Sequence, residues 1–325
     1  MRPEFLSPAA IFALFFLAAY AAFSNPLPAA AGICGEWGEA KKTGTLDHLR
    51  IDEASGVAVS TKFPGRLYHI NDSGGGPYFY ITDTAGGNTR AVRIEGYDSK
   101  RLDFEDMSIG ECAPGRSCVF IADIGDNRKR RDYTEIIAVE EIEDFAGAVK
   151  PLKRVKIAYP DGPRNAEALA VHPGGDIFIL TKEEKRDYTE AYPARLYRLP
   201  RDKWRNAGEG VLKPEYVGEI DFPSLLPGAS PLGQVVTSFD IAPDGKKFIV
   251  LTYEKAVEFG IDLSAGDLKP AAKMEEGKDY RVIEVMPLPQ QESIAYVDGG
   301  SGFIYDTEHH LFEVPIMRVG CVGGE

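Results

Sequence analysis

Residues 165–181 read NAEALAVHPGGDIFILT, and this stretch decides the fold. A short run of small and apolar residues leads into a Gly/Pro turn, and a second run rich in β-branched and aromatic side chains follows it. Two short apolar runs around such a turn predict a pair of antiparallel β-strands. The same layout occurs in five segments of the chain, the other four beginning near Ser55, Glu105, Phe239 and Glu292.

A third strand-like run follows these pairs, and four of the units show a fourth, for example residues 90–94 and 281–285. Four-stranded units that repeat at intervals of roughly 50 to 70 residues predict a β-propeller. One small sheet cannot bury both of its faces, whereas a ring of sheets packs face to face and leaves only short edges. We therefore predict an all-β fold, a single propeller of five four-stranded blades. Six blades and a two-sheet sandwich are the alternatives.

Two features bear on how the ring closes and repeats. The last unit, residues 292–319, lacks a fourth strand, and residues 46–51 before the first unit offer one. We therefore expect an N-terminal strand to complete the last blade. The identical pentapeptides RDYTE at 131–135 and 186–190 each stand between a second and a third strand, which indicates a common repeat ancestry.

The first thirty-one residues have the features of a targeting segment. Residues 9–23 are an unbroken apolar run that is short for a bilayer span, and Ala29, Ala30 and Ala31 supply the small residues of a cleavage site. We predict a signal peptide over residues 1–31 and a propeller domain over 32–325, with an uncleaved N-terminal anchor as the alternative. The protein is then secreted or periplasmic, with no membrane span after signal cleavage.

Four cysteines in the mature part fit an oxidising compartment. Cys112 and Cys118 flank a turn-rich insert that a disulfide can close, and Cys34 with Cys321 can tie the two ends together. This is the simplest of the three possible pairings. Zinc is a poor alternative because the chain has no CxxC and no histidine pair at zinc-ligand spacing.

The charge balance excludes some partners. With 50 acidic against 37 basic residues, the net charge is −13, which argues against nucleic acid or an anionic lipid surface. Hydrophobic residues make up 44% of the chain, enough to bury a core. We expect a monomer whose partner is a small polar ligand or another envelope protein.

Polar residues recur at one point of each unit. In a propeller, the start of each first strand and the loop between the second and third strands meet at one mouth of the central channel. The strand starts supply Asp103, Glu105, Asn165, Glu167, Gln291 and Glu292, and the loops supply Asn71, Asp72, Asp123, Asp126, Asn127, Lys182, Tyr253 and Asp306.

Several carboxylates at one mouth repel each other unless a cation or protons relieve them. Hard oxygen ligands of this kind suit Ca²⁺, with Glu105, Glu167 and Asp123 as the predicted ligands. The remaining predicted ligand-binding residues are Asn71, Asp72, Asp126, Asn127, Lys182, Tyr253 and Glu292. The alternative is that the carboxylates are solvated or paired with neighbouring Arg and Lys.

The motifs EASGVA (53–58), HINDSG (69–74), DFEDMS (103–108) and NAEALA (165–170) resemble those of secreted bacterial propellers. The families concerned are the SdiA-regulated propellers and the phytase-like esterase propellers. The resemblance places Glu105 and Glu167 at the family's D-x-E glutamate, and Asp72 and Asp123 at its loop aspartates. It implies calcium binding, whereas Asp106 and Ala168 stand where glycine is typical.

Two functions follow from the sequence. The first is a binding propeller that holds a cation, a small polar ligand or an envelope partner at its mouth. The second is an extracytoplasmic metal-dependent hydrolase of phosphoester or lactone bonds, with Glu105 or Glu167 as catalytic candidates. The chain has no nucleophile elbow, P-loop or HExxH motif, so the binding function is preferred.

Overall fold

The computed structural model describes residues 32–97, 102–266, 268–308 and 313–323. Within them, twenty-two strands form five sheets, which are the five blades of a β-propeller. The signal segment predicted over residues 1–31 lies outside the described residues.

The strands are numbered in chain order. Strand β1 (Lys41–Leu46) precedes the first blade and belongs to the last. Blade 1 contains β2 (Ala54–Val59), β3 (Arg66–Asn71), β4 (Tyr78–Asp83) and β5 (Arg90–Ile94). Blade 2 contains β6 (Phe104–Ala113), β7 (Arg116–Asp123), β8 (Thr134–Glu140) and β10 (Lys153–Ile157). Blade 3 contains β11 (Ala166–Val171), β12 (Ile177–Thr181), β13 (Ala194–Leu199) and β15 (Glu215–Ile220).

Blade 4 contains β16 (Val236–Ile241), β17 (Phe248–Thr252), β18 (Lys255–Phe259) and β19 (Tyr280–Glu284). Blade 5 contains β20 (Gln291–Val297), β21 (Gly302–Thr307) and β22 (Val314–Gly320), with β1 as its outermost strand. Two short strands, β9 (Ala148–Val149) and β14 (Val211–Leu212), add a parallel fifth strand to blades 1 and 2. Two short helices, α1 (Arg201–Arg205) and α2 (Phe222–Leu225), lie between strands.

The apolar core is divided among the five interfaces between blades, with one buried cluster at each. Alternation along the strands explains this arrangement. In β12, Phe178 and Leu180 pack against blade 4, while Ile177 and Ile179 face blade 2. Successive side chains of a strand point to opposite faces, so a strand buried on both faces reads as a continuous apolar run.

The innermost strands β2, β6, β11, β16 and β20 line the central channel and are joined across blades by side-chain hydrogen bonds. Asp106 Oδ2 accepts from Leu169 N at 2.9 Å, and Ser108 Oγ accepts from Val171 N at 3.1 Å. Ser238 and Asp240 repeat this pattern toward blade 5 by accepting from the backbone of residues 294 and 296. Bonds in the same order along both strands show that these strands run parallel. We call the end where they begin the mouth and the other end the far opening.

An N-terminal strand closes the ring as expected, but it is not the predicted one. Strand β1 pairs antiparallel with β22 from Lys41–Arg318 to Leu46–Val314, whereas residues 47–51 form a turn. The prediction of residues 46–51 was wrong because it followed apolar content. An outermost strand is half solvated and can be polar, as KKTGTL is.

Both predicted cysteine pairs are joined. Cys34 and Cys321 are bonded with their Cα atoms 5.9 Å apart, across a sequence separation of 287. Cys112 and Cys118 are bonded across the β6–β7 hairpin with Cα atoms 5.7 Å apart. The first bridge lies beside β1 and β22 and therefore ties the closing joint of the ring.

Candidate functional site

The mouth is built from the starts of the innermost strands and the ends of the second strands. Each first strand begins beside the end of its hairpin partner, so Ala54 pairs with Asn71, Phe104 with Asp123 and Gln291 with Thr307. The register shifts immediately after each of these pairs, by one residue. A bulge of this kind re-aims a side chain at the edge of a sheet.

Three carboxylates from blade 1 and the entry to blade 2 meet at the mouth. One ligating oxygen each from Asp72, Asp103 and Glu105 lies within 4.8 Å of the other two, and we call these three residues the acidic cluster. Gly125 packs directly against it, since a Cβ there would lie 1.9 Å from Glu105 Oε1. Only glycine leaves room for the two carboxylates of blade 2 in this position.

Burial and mutual repulsion raise the pKa values of the carboxyl groups in the acidic cluster. Burial, followed by the charges of Asp72 and Glu167, raises the pKa of Asp103 to about 7. Burial and the same neighbours raise the pKa of Glu105 well above its ordinary value, and burial also raises that of Asp72. Desolvation and like charges both disfavour the ionised form. The acidic cluster is therefore relieved at neutral pH either by protons or by a cation.

Asp123 lies at the end of β7 behind the acidic cluster. The Arg131 guanidinium donates to both of its carboxylate oxygens at 2.8 Å, and Asp103 N donates to Oδ1 at 3.0 Å. Burial raises the pKa of Asp123, with Arg131 acting in the opposite direction. Bidentate pairing of this kind fixes the loop geometry. The role of Asp123 as a cation ligand stays a prediction.

Asn165 holds the loop after β7 against blade 3. Its Oδ1 accepts from Asp126 N at 2.7 Å, and its Nδ2 donates to Asn127 Oδ1 at 3.1 Å and to Glu167 Oε1 at 2.9 Å. Asp126 Oδ2 in turn accepts from Arg131 N at 2.8 Å. These bonds therefore fix the loop after β7 and the Glu167 carboxylate relative to each other.

A cationic side chain crosses from blade 3 to blade 4 at the mouth. Lys182 Nζ lies 3.4 Å from Glu167 Oε1 and donates to the Tyr253 hydroxyl at 2.9 Å. That hydroxyl donates to Glu292 Oε1 at 2.7 Å. We call Lys182, Tyr253 and Glu292 the lysine relay. Burial lowers the pKa of Lys182, but Glu167, Tyr253 and Glu292 outweigh it and raise the pKa well above its ordinary value.

The lysine relay and the acidic cluster belong to one electrostatic unit. Burial and Glu308 raise the pKa of Glu292 well above its usual range, despite the opposing charge of Lys182. The charges of Glu167 and Lys182 both act on the Asp72 carboxyl. Lys182 thus stands as a positive charge among the mouth carboxylates.

The remaining predicted residues have supporting contacts. Asn71 donates to Arg50 O at 2.9 Å, and Gln291 Nε2 donates to Thr252 O at 2.9 Å. Asp306 is fully buried, accepts a short hydrogen bond from Ser293 Oγ and lies 3.6 Å from His69 Nδ1. These contacts link neighbouring parts of the ring beneath the mouth.

Two carboxylates at the mouth were missed by the sequence analysis. Glu53 precedes β2 at the place where Asp103 precedes β6, and burial with the charge of Asp72 raises its pKa. Glu308 follows β21 and shares a hydrogen bond with Glu292, and burial raises its pKa too. The repeat register gives the signal for Glu53, since it begins the motif EASGVA as Asp103 begins the motif DFEDMS of blade 2.

Among the described residues, no helix has the length and apolar character needed to cross a bilayer. No family model matches the chain, and no curated protein matches it in sequence. Among solved structures, it is similar to the hydrazine synthase of Kuenenia stuttgartiensis, with 12% identity, a TM-score of 0.39, and coverage of 79% of this chain and 56% of that one. It is also similar to a chain of a nidogen/laminin complex, with 12% identity, a TM-score of 0.38, and coverage of 78% and 72%. The resemblance to the two propeller families named above stays a prediction.

Proposed function

We propose that this protein is an extracytoplasmic binding propeller that holds Ca²⁺ in the acidic cluster and uses it to bind a small anionic ligand. The observation that carries the proposal is the convergence of Asp72, Asp103 and Glu105, whose oxygens lie within 4.8 Å of one another. Hard carboxylate oxygens in this number suit Ca²⁺ or a similar divalent ion. The two disulfides support the location, because such bonds persist in oxidising compartments.

The lysine relay supports the choice of ligand. A Ca²⁺ ion in the acidic cluster and the Lys182 ammonium are two positive charges at one mouth. The second charge is present only while Lys182 keeps its proton. Its raised pKa keeps it charged at neutral pH. A carboxylate or phosphate group can contact both charges, whereas a neutral sugar gains little from the second one. The proposed ligand is therefore small and anionic.

Calcium titration by calorimetry tests the cation site. We expect Asp103→Asn and Glu105→Gln to weaken Ca²⁺ binding by more than the roughly 10- to 100-fold that loss of a partner supporting a metal ligand costs. Glu209→Gln, an exposed carboxylate outside the mouth, is the matched control and should bind Ca²⁺ as the unchanged protein does. Equal Ca²⁺ affinity in all four proteins, or no binding by any of them, would contradict the proposal.

Thermal unfolding with and without Ca²⁺ should depend on pH in a defined direction. The pKa of Asp103 is about 7 in the fold against an ordinary 3.8, so the folded state binds this proton more tightly than the unfolded chain. Stability without metal should therefore fall as the pH rises from about 4 to 7. Ca²⁺ replaces the protons, so it should raise the melting temperature more at pH 8 than at pH 5. Asp103→Asn should flatten this difference.

Hydrolysis is the second candidate function, and the lysine relay is the observation that favours it. A phenol hydrogen-bonded between an ammonium and a carboxylate, 2.9 Å and 2.7 Å away, can pass a proton. The test is a panel of aryl phosphates and lactones with Ca²⁺ present. If the protein is a hydrolase, Tyr253→Phe should lower kcat at least about tenfold while Ca²⁺ affinity stays unchanged. No turnover with intact Ca²⁺ binding leaves the binding function alone.

A further inference from the structure

The far opening of the channel holds a second concave site, opposite the mouth. A cavity of about 420 Å³ lies there, a volume in the range of small-molecule pockets. All five innermost strands contribute an aliphatic side chain to its wall: Val57, Ile109, Val171, Ile241 and Ala295. A cavity formed by every blade is a property of the closed ring and not of a single loop.

One carboxylate in this wall has no cationic partner. Of the charged residues that line the cavity, Glu111 pairs with Arg205 at 3.1 Å, and Arg116 pairs with Glu140. Asp240 makes no ion pair with any residue in the described ranges. Within the part of the chain that the structure describes, its two oxygens accept from backbone groups alone, from Ile241 N at 2.9 Å and Tyr296 N at 2.8 Å.

The position of Asp240 leaves it available to a ligand. Two backbone bonds occupy two of the roughly four acceptor sites of its carboxylate. The residue keeps intermediate exposure and lines the cavity, so part of its surface is open to the space within. Burial raises the pKa of Asp240 to about 7, which fits a carboxylate that lacks a compensating positive charge.

We propose that the far opening binds a small aliphatic ammonium compound, with its hydrocarbon body against the five-strand wall and its ammonium group on Asp240. The aliphatic wall accounts for the body of the ligand, since apolar surface removed from water drives binding. The unpaired carboxylate accounts for its charge, because a hydrogen bond between ionised groups is stronger than one between neutral groups. This site is independent of the acidic cluster and of the proposed function.

Calorimetry with cyclohexylamine and its neutral counterpart cyclohexanol tests the proposal. Both probes have the same ring, so their difference reports the charge. We expect the ammonium form to bind at least about tenfold more tightly than the alcohol. Asp240→Asn should abolish that difference. Ile109→Trp, which enlarges a wall side chain on β6 while the carboxylate is on β16, should weaken binding of both probes. If Asp240→Asn does not fold, Ile109→Trp still decides where the probes bind.

The acidic mouth needs its own control, because it also attracts cations. The titrations are therefore run with saturating Ca²⁺ and repeated with Glu105→Gln, in which cyclohexylamine binding should persist. Four outcomes overturn the proposal. The first two are no binding of either probe at about 10 mM, a level well above ordinary ligand affinities, and equal affinity for the two probes. The others are a preference for the ammonium probe that survives in folded Asp240→Asn, and binding that Glu105→Gln removes and Ile109→Trp does not.

Discussion

Replacing Asp106 by alanine is expected to lower the free energy of unfolding by about 4 kcal/mol or more. The Asp106 side chain is fully buried at the centre of the ring and accepts four hydrogen bonds. The donors are Met107 N at 2.8 Å, Leu169 N at 2.9 Å, Ser238 Oγ at 3.2 Å and Phe239 N at 3.3 Å. They come from three blades, so the substitution leaves buried donors unpaired on each of them.

The size of the loss follows from the number of donors. Each buried group that loses its partner costs about 1–3 kcal/mol, and Asp106→Ala removes the acceptor of four such donors. Asp106→Asn should cost less than Asp106→Ala, because its amide oxygen still accepts two of the four hydrogen bonds. It should still destabilise the protein, because its NH₂ group then faces two backbone donors. Asn at this position also serves as the variant to measure if the alanine variant fails to fold.

Urea unfolding followed by circular dichroism measures the effect, with Asp83→Ala as the matched control. Asp83 also accepts several bonds, from Ala85 N, Gly87 N and Asn88 Nδ2, but it does so in an exposed turn. Water replaces those bonds when the side chain is removed, so the control should lose only about 1 kcal/mol. Equal losses in the two alanine variants would show that Asp106 does not join the blades.

Asp106 also shows where sequence reasoning ends. The first-strand motif DFEDMS predicts Glu105 at the mouth, but for Asp106 it indicates only a departure from the glycine that is typical there. The partners of Asp106 are some 60 and 130 residues away along the chain. Local patterns carry no information about contacts at such separations. The blade count and the closure by an N-terminal strand were predictable because they depend on the repeat alone.

The identical pentapeptides RDYTE make the same point for the site. Arg131 is half-buried and clamps Asp123, whereas Arg186, at the equivalent place in blade 3, is exposed. The difference comes from the residue each loop offers to the arginine: β7 ends in Asp123, but β12 ends in Thr181. Repetition fixes the position of a side chain in the blade, while its partner depends on residues that the repeats do not share.

The fifth strands and the polar closing strand were missed for a related reason. Strands β9 and β14 have two residues each, too few for a period of two to appear. Strand β1 contains Lys41, Lys42 and Thr43, which a search for apolar alternation rejects. These strands pair at the outer edge of a blade and add one apolar side chain each to the core, Leu46, Val149 and Leu212.

The two disulfides are expected to differ in how much they stabilise the fold, and the one at the closing joint contributes more. Removing the Cys34–Cys321 bond with serine at both positions is expected to cost about 5 kcal/mol, and removing Cys112–Cys118 in the same way about 2 kcal/mol. The expected costs differ because a cross-link restricts the unfolded chain more as the loop it closes lengthens. The sequence separations here are 287 and 6.

The folded state adds to this difference. Next to the first bridge, Cys34 N donates to Glu258 Oε2 at 2.7 Å, and Glu258 is fully buried with Lys247 Nζ 2.9 Å from its other oxygen. Loosening the N-terminal segment deprives a buried carboxylate of one of its donors. Among the described residues, no buried carboxylate accepts from the backbone of Cys112 or Cys118, and their bridge spans a hairpin already held by the pairing of β6 with β7.

Urea unfolding of the two double-serine proteins, under oxidising conditions, gives both values, and reduction of the unchanged protein should reproduce their sum within about 0.5 kcal/mol, because the sites are separate. The Cys112 variant acts as the control for loss of a disulfide as such. If both variants lose the same stability, the long loop does not restrain the unfolded ensemble, and the bridge at the joint then has no special part in closing the ring. If the Cys34 variant unfolds in two steps, with blade 5 first, the joint is the weakest interface of the propeller once its bridge is gone.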